Sequence, residues 1–145
     1  MLLQVALLGL VALAGLWTGG AWDGALAPIA AVVGLGLMVG GAALLGRGLI
    51  DLGRNLTPVP HPRDDAELIE SGVYAYLRHP MYSALIATAV GWGLVVASPP
   101  TLVLAAGLAV FFDLKARREE AWLVQRYSRY ADYMTRSRRL VPGLY

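Results

Sequence analysis

Two short stretches hold nearly all the side chains with chemical potential. The first is Gly72-Val73-Tyr74-Ala75-Tyr76-Leu77-Arg78-His79-Pro80-Met81-Tyr82, and the second is Lys115-Ala116-Arg117-Arg118-Glu119-Glu120-Ala121-Trp122. Arg78, His79 and Tyr82 stand where a polar connection meets an apolar run, and Pro80 suits the first turn of a helix. A helix starting there would aim its first backbone N–H groups and the positive end of its dipole at a cleft, a ready site for a carboxylate. The Arg78/Tyr82 and His79/Tyr82 spacings place these groups near one helical face. The arginine fork also matches an anionic group of a substrate. Glu119 and Glu120, turned inward, would hold an ammonium group; turned outward, they form surface pairs such as Lys115/Glu119. The first stretch equally suits a plain anchor at the headgroup level of a membrane. If a proton has to be removed, His79 or a glutamate is the available base.

Composition narrows the chemistry further. The chain has no cysteine, which excludes disulfides, thiol nucleophiles and cysteine-ligated metals. Its two histidines, His61 and His79, are too few for a histidine-built metal centre. The formal net charge is only +2. Neither a metal nor a nucleic-acid partner is expected.

The elements that carry the two stretches are apolar. Of 145 residues, 78 lie in three blocks without Lys, Arg, Asp or Glu: Met1–Trp22, Gly24–Gly46 and Pro80–Phe112. A helix that crosses a bilayer needs about 20 apolar residues, so the chain reads as an all-α integral membrane protein with about four transmembrane helices. The first, about 2–18, lacks a preceding base and a clear small-x-small cleavage site, and is expected to be retained rather than cleaved. The second, about 26–45, is rich in glycine, and Gly36 and Gly40 have the small-xxx-small spacing of close helix packing. The third block is too long for one helix and is divided by Ser98-Pro99-Pro100, which predicts a hairpin of helices about 80–97 and 101–134 turning at the two prolines. The last helix is expected to continue out of the membrane as a cytosolic extension.

All twelve bases fall in two places, four in the 47–79 connection and eight after Phe112. Four spans with the N-terminus inside put both on the cytoplasmic side, as the positive-inside rule requires. The chain is thus expected to be one multi-pass domain, 1–145, in a cell membrane. Its termini, the cytosolic loop 47–79 and the active site would face the cytoplasm. Within the loop, Thr57-Pro58-Val59-Pro60-His61-Pro62 must be extended, and Asp64-Asp65-Ala66-Glu67-Leu68 resembles a helix start. Tyr127, Tyr130 and Tyr133, among Arg126, Arg129 and Arg136, predict a helix lying on the membrane surface, its bases reaching anionic lipid headgroups.

Taken together, Gly72-Val73-Tyr74, Arg78-His79-Pro80, Tyr82 and Glu119-Glu120 resemble the isoprenylcysteine carboxyl methyltransferase family, whose signature is similar to that of phosphatidylethanolamine N-methyltransferases. Gly91, Pro99, Leu123, Tyr127, Tyr133, Arg136 and Pro142 extend the resemblance over roughly residues 50–145, and Asn55-Leu56-Thr57-Pro58 is similar to the loop of short bacterial members. The chain departs from the family pattern at Ser83-Ala84 and in the shortened Tyr127-Ser128-Arg129-Tyr130. The resemblance implies S-adenosyl-L-methionine as cofactor, with Glu119 or Glu120 on its ammonium. Tyr74, His79, Pro80 and Tyr82 would complete the pocket, and Arg78 would orient the substrate. It implies methyl transfer to a lipid-like or membrane-associated substrate, a carboxylate before an amine, the substrate being a hydrophobic or prenylated small molecule or protein. Sterol reductases are similar over the same half, so an NADPH-dependent membrane reductase is the alternative, and a non-catalytic membrane subunit is the third. The sequence leaves the oligomeric state open.

Overall fold

Each charge-free block is helical in the computed structural model, which describes residues 2–53, 68–141 and 143. The helices are α1 (Leu2–Trp17), α2 (Leu26–Leu52), α3 (Pro80–Val95), α4 (Pro99–Arg126) and α5 (Tyr130–Arg136), with a 3-10 turn at Gly72–Ala75. Among the described residues there is no β-strand; one isolated parallel bridge joins Leu77 to Arg138. The proline-rich Thr57–Pro62 and the helix start at Asp64–Glu67 lie outside the described residues.

Three boundaries differ from expectation. Helix α2 runs to Leu52, because polarity ends an apolar run without ending a helix: Arg47 and Asp51, one turn apart, pair at 2.9 Å on its last turns. Pro99 and Pro100 are not in the hairpin turn but open α4, where the N–H groups they lack would have had no intrahelical partner. Ser98 caps that start, its Oγ accepting from the Thr101 N–H at 3.2 Å. The expected helix 101–134 is interrupted: α4 stops at Arg126, the Tyr130 N–H bonds the Tyr127 carbonyl at 3.0 Å across the break, and α5 follows.

Among the described residues, two helices are long and apolar enough to cross a membrane, α2 with a mean hydropathy of 2.2 and α4 with 1.4. Helices α1 and α3 are apolar but have 16 residues each, about 24 Å of rise against a hydrocarbon thickness of about 30 Å.

The chain forms two compact units, Met1–Ala43 with Ala84–Phe111, and Leu44–Ser83 with Phe112–Tyr145. In the first, helices approach through glycine. A Cβ on Gly34 would lie 2.6 Å from the Gly91 carbonyl oxygen, and one on Gly91 would lie 2.5 Å from the Gly34 oxygen. Gly41 meets the Ala84 carbonyl and the Thr88 hydroxyl at 2.8 and 2.5 Å by the same measure, and Gly15 sits under the Trp92 indole. The spacing that matters is therefore seven, Gly34 to Gly41. The expected pair Gly36 and Gly40 faces open space, with nothing within 4 Å of a Cβ at either. Polar groups near the α3–α4 turn satisfy one another: Thr18 Oγ1 and Ser98 Oγ lie 2.6 Å apart, and Ser98 Oγ and Thr101 Oγ1 2.7 Å. Such pairing is required where water is scarce.

Candidate functional site

All the chemically promising residues fall in the second unit. Its frame begins at Gly72, whose φ of +62° is accessible to glycine at little cost. A side chain there is also barred by space, since a Cβ would lie 2.0 Å from Asp51 Oδ2. The same oxygen accepts the Val73 N–H at 2.8 Å, tying the approach to α3 onto the end of α2. Tyr74 is buried and donates to the Gly48 carbonyl at 3.4 Å, while Tyr133 donates to the Tyr74 carbonyl at 2.5 Å. Burial pushes both phenols up to about 12, Asp51 adding to the effect at Tyr74, so both stay protonated donors at neutral pH. Tyr130 and Tyr133 are buried and meet edge to face at 5.6 Å. They are core rather than a membrane-surface stripe, because the break after Arg126 lets α5 turn its tyrosines inward.

The start of α3 is not an open anion site. Pro80 has no N–H, and the Tyr82 and Ser83 N–H groups both bond the His79 carbonyl at 3.1 Å. Residues 138–140 cover the approach: Arg78 N–H donates to the Arg138 carbonyl at 2.8 Å, His79 N–H to the Arg139 carbonyl at 3.2 Å, and Ser83 Oγ to the Leu140 carbonyl at 2.6 Å. The donors expected to face a cleft are thus largely used by the chain itself.

The two glutamates have opposite surroundings. Glu120 is 3% exposed and held from both sides. Arg78 Nε donates to its Oε1 at 2.7 Å, and Arg139 approaches its Oε2 with Nε at 2.9 Å and Nη2 at 2.8 Å. A buried carboxylate needs such partners, since an unpaired one carries the full penalty of lost hydration. The remaining described donors of Arg78 also point inward, Nη1 reaching the Ser137 carbonyl at 2.5 Å and the Met134 carbonyl at 3.2 Å. Arg139 Nη1 contacts Asp113 Oδ1 at 3.2 Å, and Arg117 Nε takes Asp113 Oδ2 at 2.7 Å.

Glu119 instead receives a neutral donor. The Tyr82 hydroxyl lies 2.8 Å from each of its carboxylate oxygens, and the nearest ammonium, Lys115 Nζ, is 3.9 Å away. Its side chain keeps 14% exposure. Aromatic rings build one wall: His79 stacks on Tyr82 at 5.2 Å, Tyr82 stacks on Phe112 at 4.7 Å, and Lys115 stands over the Tyr82 ring at 4.9 Å. His79 sits between the carboxylates, Nδ1 3.7 Å from Glu119 and Nε2 3.4 Å from Glu120. Buried Nε2 has no aligned hydrogen-bond partner among the described residues. A carboxylate whose closest partner is a phenol, beside aromatic faces, suits an organic cation.

The structure brings Arg78, His79, Pro80, Tyr82, Glu119 and Glu120 together in this unit, with Tyr74 in the supporting frame below. No cluster of three or more metal-binding side chains occurs among the described residues. Sequence reasoning missed Arg139, Asp113 and Ser137. Arg139 was one of eight bases behind Phe112, and nothing in its neighbours marks it as the one that turns inward.

The profile of the phospholipid methyltransferase family matches residues 29–130. Probable protein-S-isoprenylcysteine O-methyltransferases of rice, Oryza sativa subspecies indica and japonica, are each 33% identical over 105 residues, covering 70% of this chain and 55% of theirs. Protein-S-isoprenylcysteine O-methyltransferase of Dictyostelium discoideum is 29% identical over 118 residues, 78% of this chain and 49% of its own. This chain thus spans about half the length of these relatives. The solved structure of the eukaryotic intramembrane Ras methyltransferase ICMT (isoprenylcysteine carboxyl methyltransferase) superposes with a TM-score of 0.71 at 23% identity, over 79% of this chain and 42% of that one. That likeness establishes the fold.

Proposed function

The chain belongs to the phospholipid methyltransferase family, and on that premise we propose that it transfers a methyl group from S-adenosyl-L-methionine to a lipid-like, membrane-associated substrate. The names of its relatives favour a prenylated cysteine carboxylate as acceptor. The observation that carries the reading is the contrast between the glutamates. Glu120 is neutralised by two guanidinium groups, whereas Glu119 is held by a phenol and keeps charge to offer.

The residues present fit the cofactor. When bound, it supplies a methyl group made electrophilic by a sulfonium centre. Glu119 would hold its ammonium, Tyr82 would fix the aim of that carboxylate, and the His79, Tyr82 and Phe112 rings would give a face that tolerates positive charge. Buried His79 Nε2 adds a polar atom facing the same cluster. Pro80 sets the start of α3, and Tyr74 works as part of the frame rather than as a contact. Arg78 spends its described donors on Glu120, two carbonyls and the Ser137 hydroxyl. It would act on an anionic substrate through its field rather than through an open fork. A carboxylate nucleophile needs no base. Positioning and electrostatics would carry the rate enhancement.

The charge-free blocks and the placement of all twelve bases support a four-span, multi-pass arrangement with the site facing the cytoplasm. Calorimetry on protein in lipid nanodiscs tests the function: S-adenosyl-L-methionine should bind, and NADPH should not. Heat from NADPH alone would support a reductase. Silence with both ligands, in protein shown to be folded, would sink the reading.

A further inference from the structure

We propose that Arg139 is a positioning residue that decides which of the two adjacent glutamates is available to a cation. The inference rests on the cofactor reading above but concerns a residue given no contact with cofactor or substrate in it. Glu119 and Glu120 are neighbours on α4, so any cation drawn to one is within reach of the other's field. Left alone, the more deeply buried Glu120 would be the stronger trap, because burial weakens screening. Arg78 answers only its Oε1, and its Nη1 is taken up by the Met134 and Ser137 carbonyls and the Ser137 hydroxyl. The other oxygen is answered by Arg139, with Nε at 2.9 Å and Nη2 at 2.8 Å, from a side chain that is 15% exposed.

The backbone around Arg139 shows that this placement is built. Its carbonyl accepts the His79 N–H, the Arg138 N–H donates to the Tyr76 carbonyl at 2.9 Å, and the Leu140 carbonyl takes the Ser83 hydroxyl. Asp113 holds the far edge of the guanidinium at 3.2 Å and is itself engaged by Arg117. The fork is therefore oriented by one acid and delivered to another. Two consequences follow for the site. Glu120 is fully paired, and because both its oxygens are pinned, the rotation of α4 at this point is set. That rotation aims Glu119 at Tyr82.

The test uses the full chain in nanodiscs and reads the Kd for S-adenosyl-L-methionine by calorimetry, with the thermal melt of the unliganded protein alongside. Wild-type binding is the first arm, and its failure sinks the cofactor reading itself. Given binding, Arg139→Gln should raise Kd about tenfold to a hundredfold, the range expected when a distant change misplaces a site by about 1 Å. Arg139→Lys keeps the charge but loses the fork, and should fall between that variant and wild type. The double variant Glu120→Gln with Arg139→Gln no longer presents a second, competing carboxylate to the cation, and should bind more tightly than Arg139→Gln alone. A merely structural arginine would lower the melt and leave Kd unmoved. Wild-type Kd in Arg139→Gln and Arg139→Lys, or losses that multiply in the double variant, would overturn the proposal. If Arg139→Gln does not fold, Arg139→Lys alone decides: an unchanged Kd defeats the proposal, and a several-fold rise upholds it.

Discussion

The Tyr82 hydroxyl is equidistant, at 2.8 Å, from the two carboxylate oxygens of Glu119. Its single hydrogen is shared across the fork of the acid, which fixes the carboxylate plane without cancelling its charge. An arginine in the same place would give a tighter pair and a carboxylate with less charge to offer. The aromatic stack beneath, His79 on Tyr82 on Phe112, keeps the phenol from swinging away.

Tyr82→Phe should therefore weaken S-adenosyl-L-methionine binding by about tenfold to a hundredfold, the worth of a hydrogen bond to a charged group. The stack should survive, since phenylalanine keeps the ring. Glu119→Gln should lose more, because the charge itself is gone. Calorimetry with both variants checks this, and near-wild-type affinity in Glu119→Gln would remove Glu119 from the site.

Glycine positions on α2 should separate into two classes. Gly34→Val places carbon atoms inside contact distance of the Gly91 carbonyl. It should lower stability by about 1–3 kcal/mol, as overpacking does. Gly36→Val and Gly40→Val face open space and should melt within a degree or two of wild type in nanodiscs. Equal effects at all three positions would contradict the packing face.

Gly72→Ala combines a left-handed backbone with a Cβ driven into Asp51. A loss of about 2 kcal/mol or more is expected. Asp51→Asn leaves the backbone alone but weakens the acceptor of the Val73 N–H, and should lower the melt by a smaller amount. A Gly72→Ala protein as stable as wild type would show that this turn can relax.

Alkaline stability should report the buried tyrosines. Tyr74 and Tyr133 have phenols raised from 10 to about 12 in the folded chain, by burial above all. The unfolded chain loses these protons first, so the stabilisation is complete below pH 10 and falls away as pH rises toward 12. Chemical denaturation between pH 9 and 12 should show that decline, and Tyr133→Phe should flatten part of it. A slope unchanged in Tyr133→Phe would assign the effect to other groups.

Much of the fold was legible because its largest signal is the absence of charge. The charge-free blocks marked where α1, α2 and α3 begin, α3 to the residue at Pro80. The end of α2 was misread for the same reason that its start was clear: hydropathy reports the solvent, whereas the helix continues through Arg47 and Asp51 on backbone bonds. The break at Tyr127–Arg129 carries no proline or glycine, so only tertiary burial of Tyr130 and Tyr133 explains it. Arg78, His79, Tyr82 and the two glutamates could be gathered from motif spacing. Their division of labour could not, because it depends on Arg139 arriving from 19 residues beyond Glu120.

The pairing of residues 138–140 with 76–83 has a consequence for biosynthesis. The segment 138–140 is made after α1 to α3, so the start of α3 leaves the ribosome before its backbone partners at 138–140 exist. The pairing of 138–140 with 76–83, and with it the Arg139 grip on Glu120, forms only when translation has passed Leu140. Until then the Arg78 and His79 N–H groups lack the carbonyls that they meet in the finished structure. A product truncated before Arg139 should therefore lack the second guanidinium on Glu120, and a lower melt than that of the full chain in nanodiscs would report it.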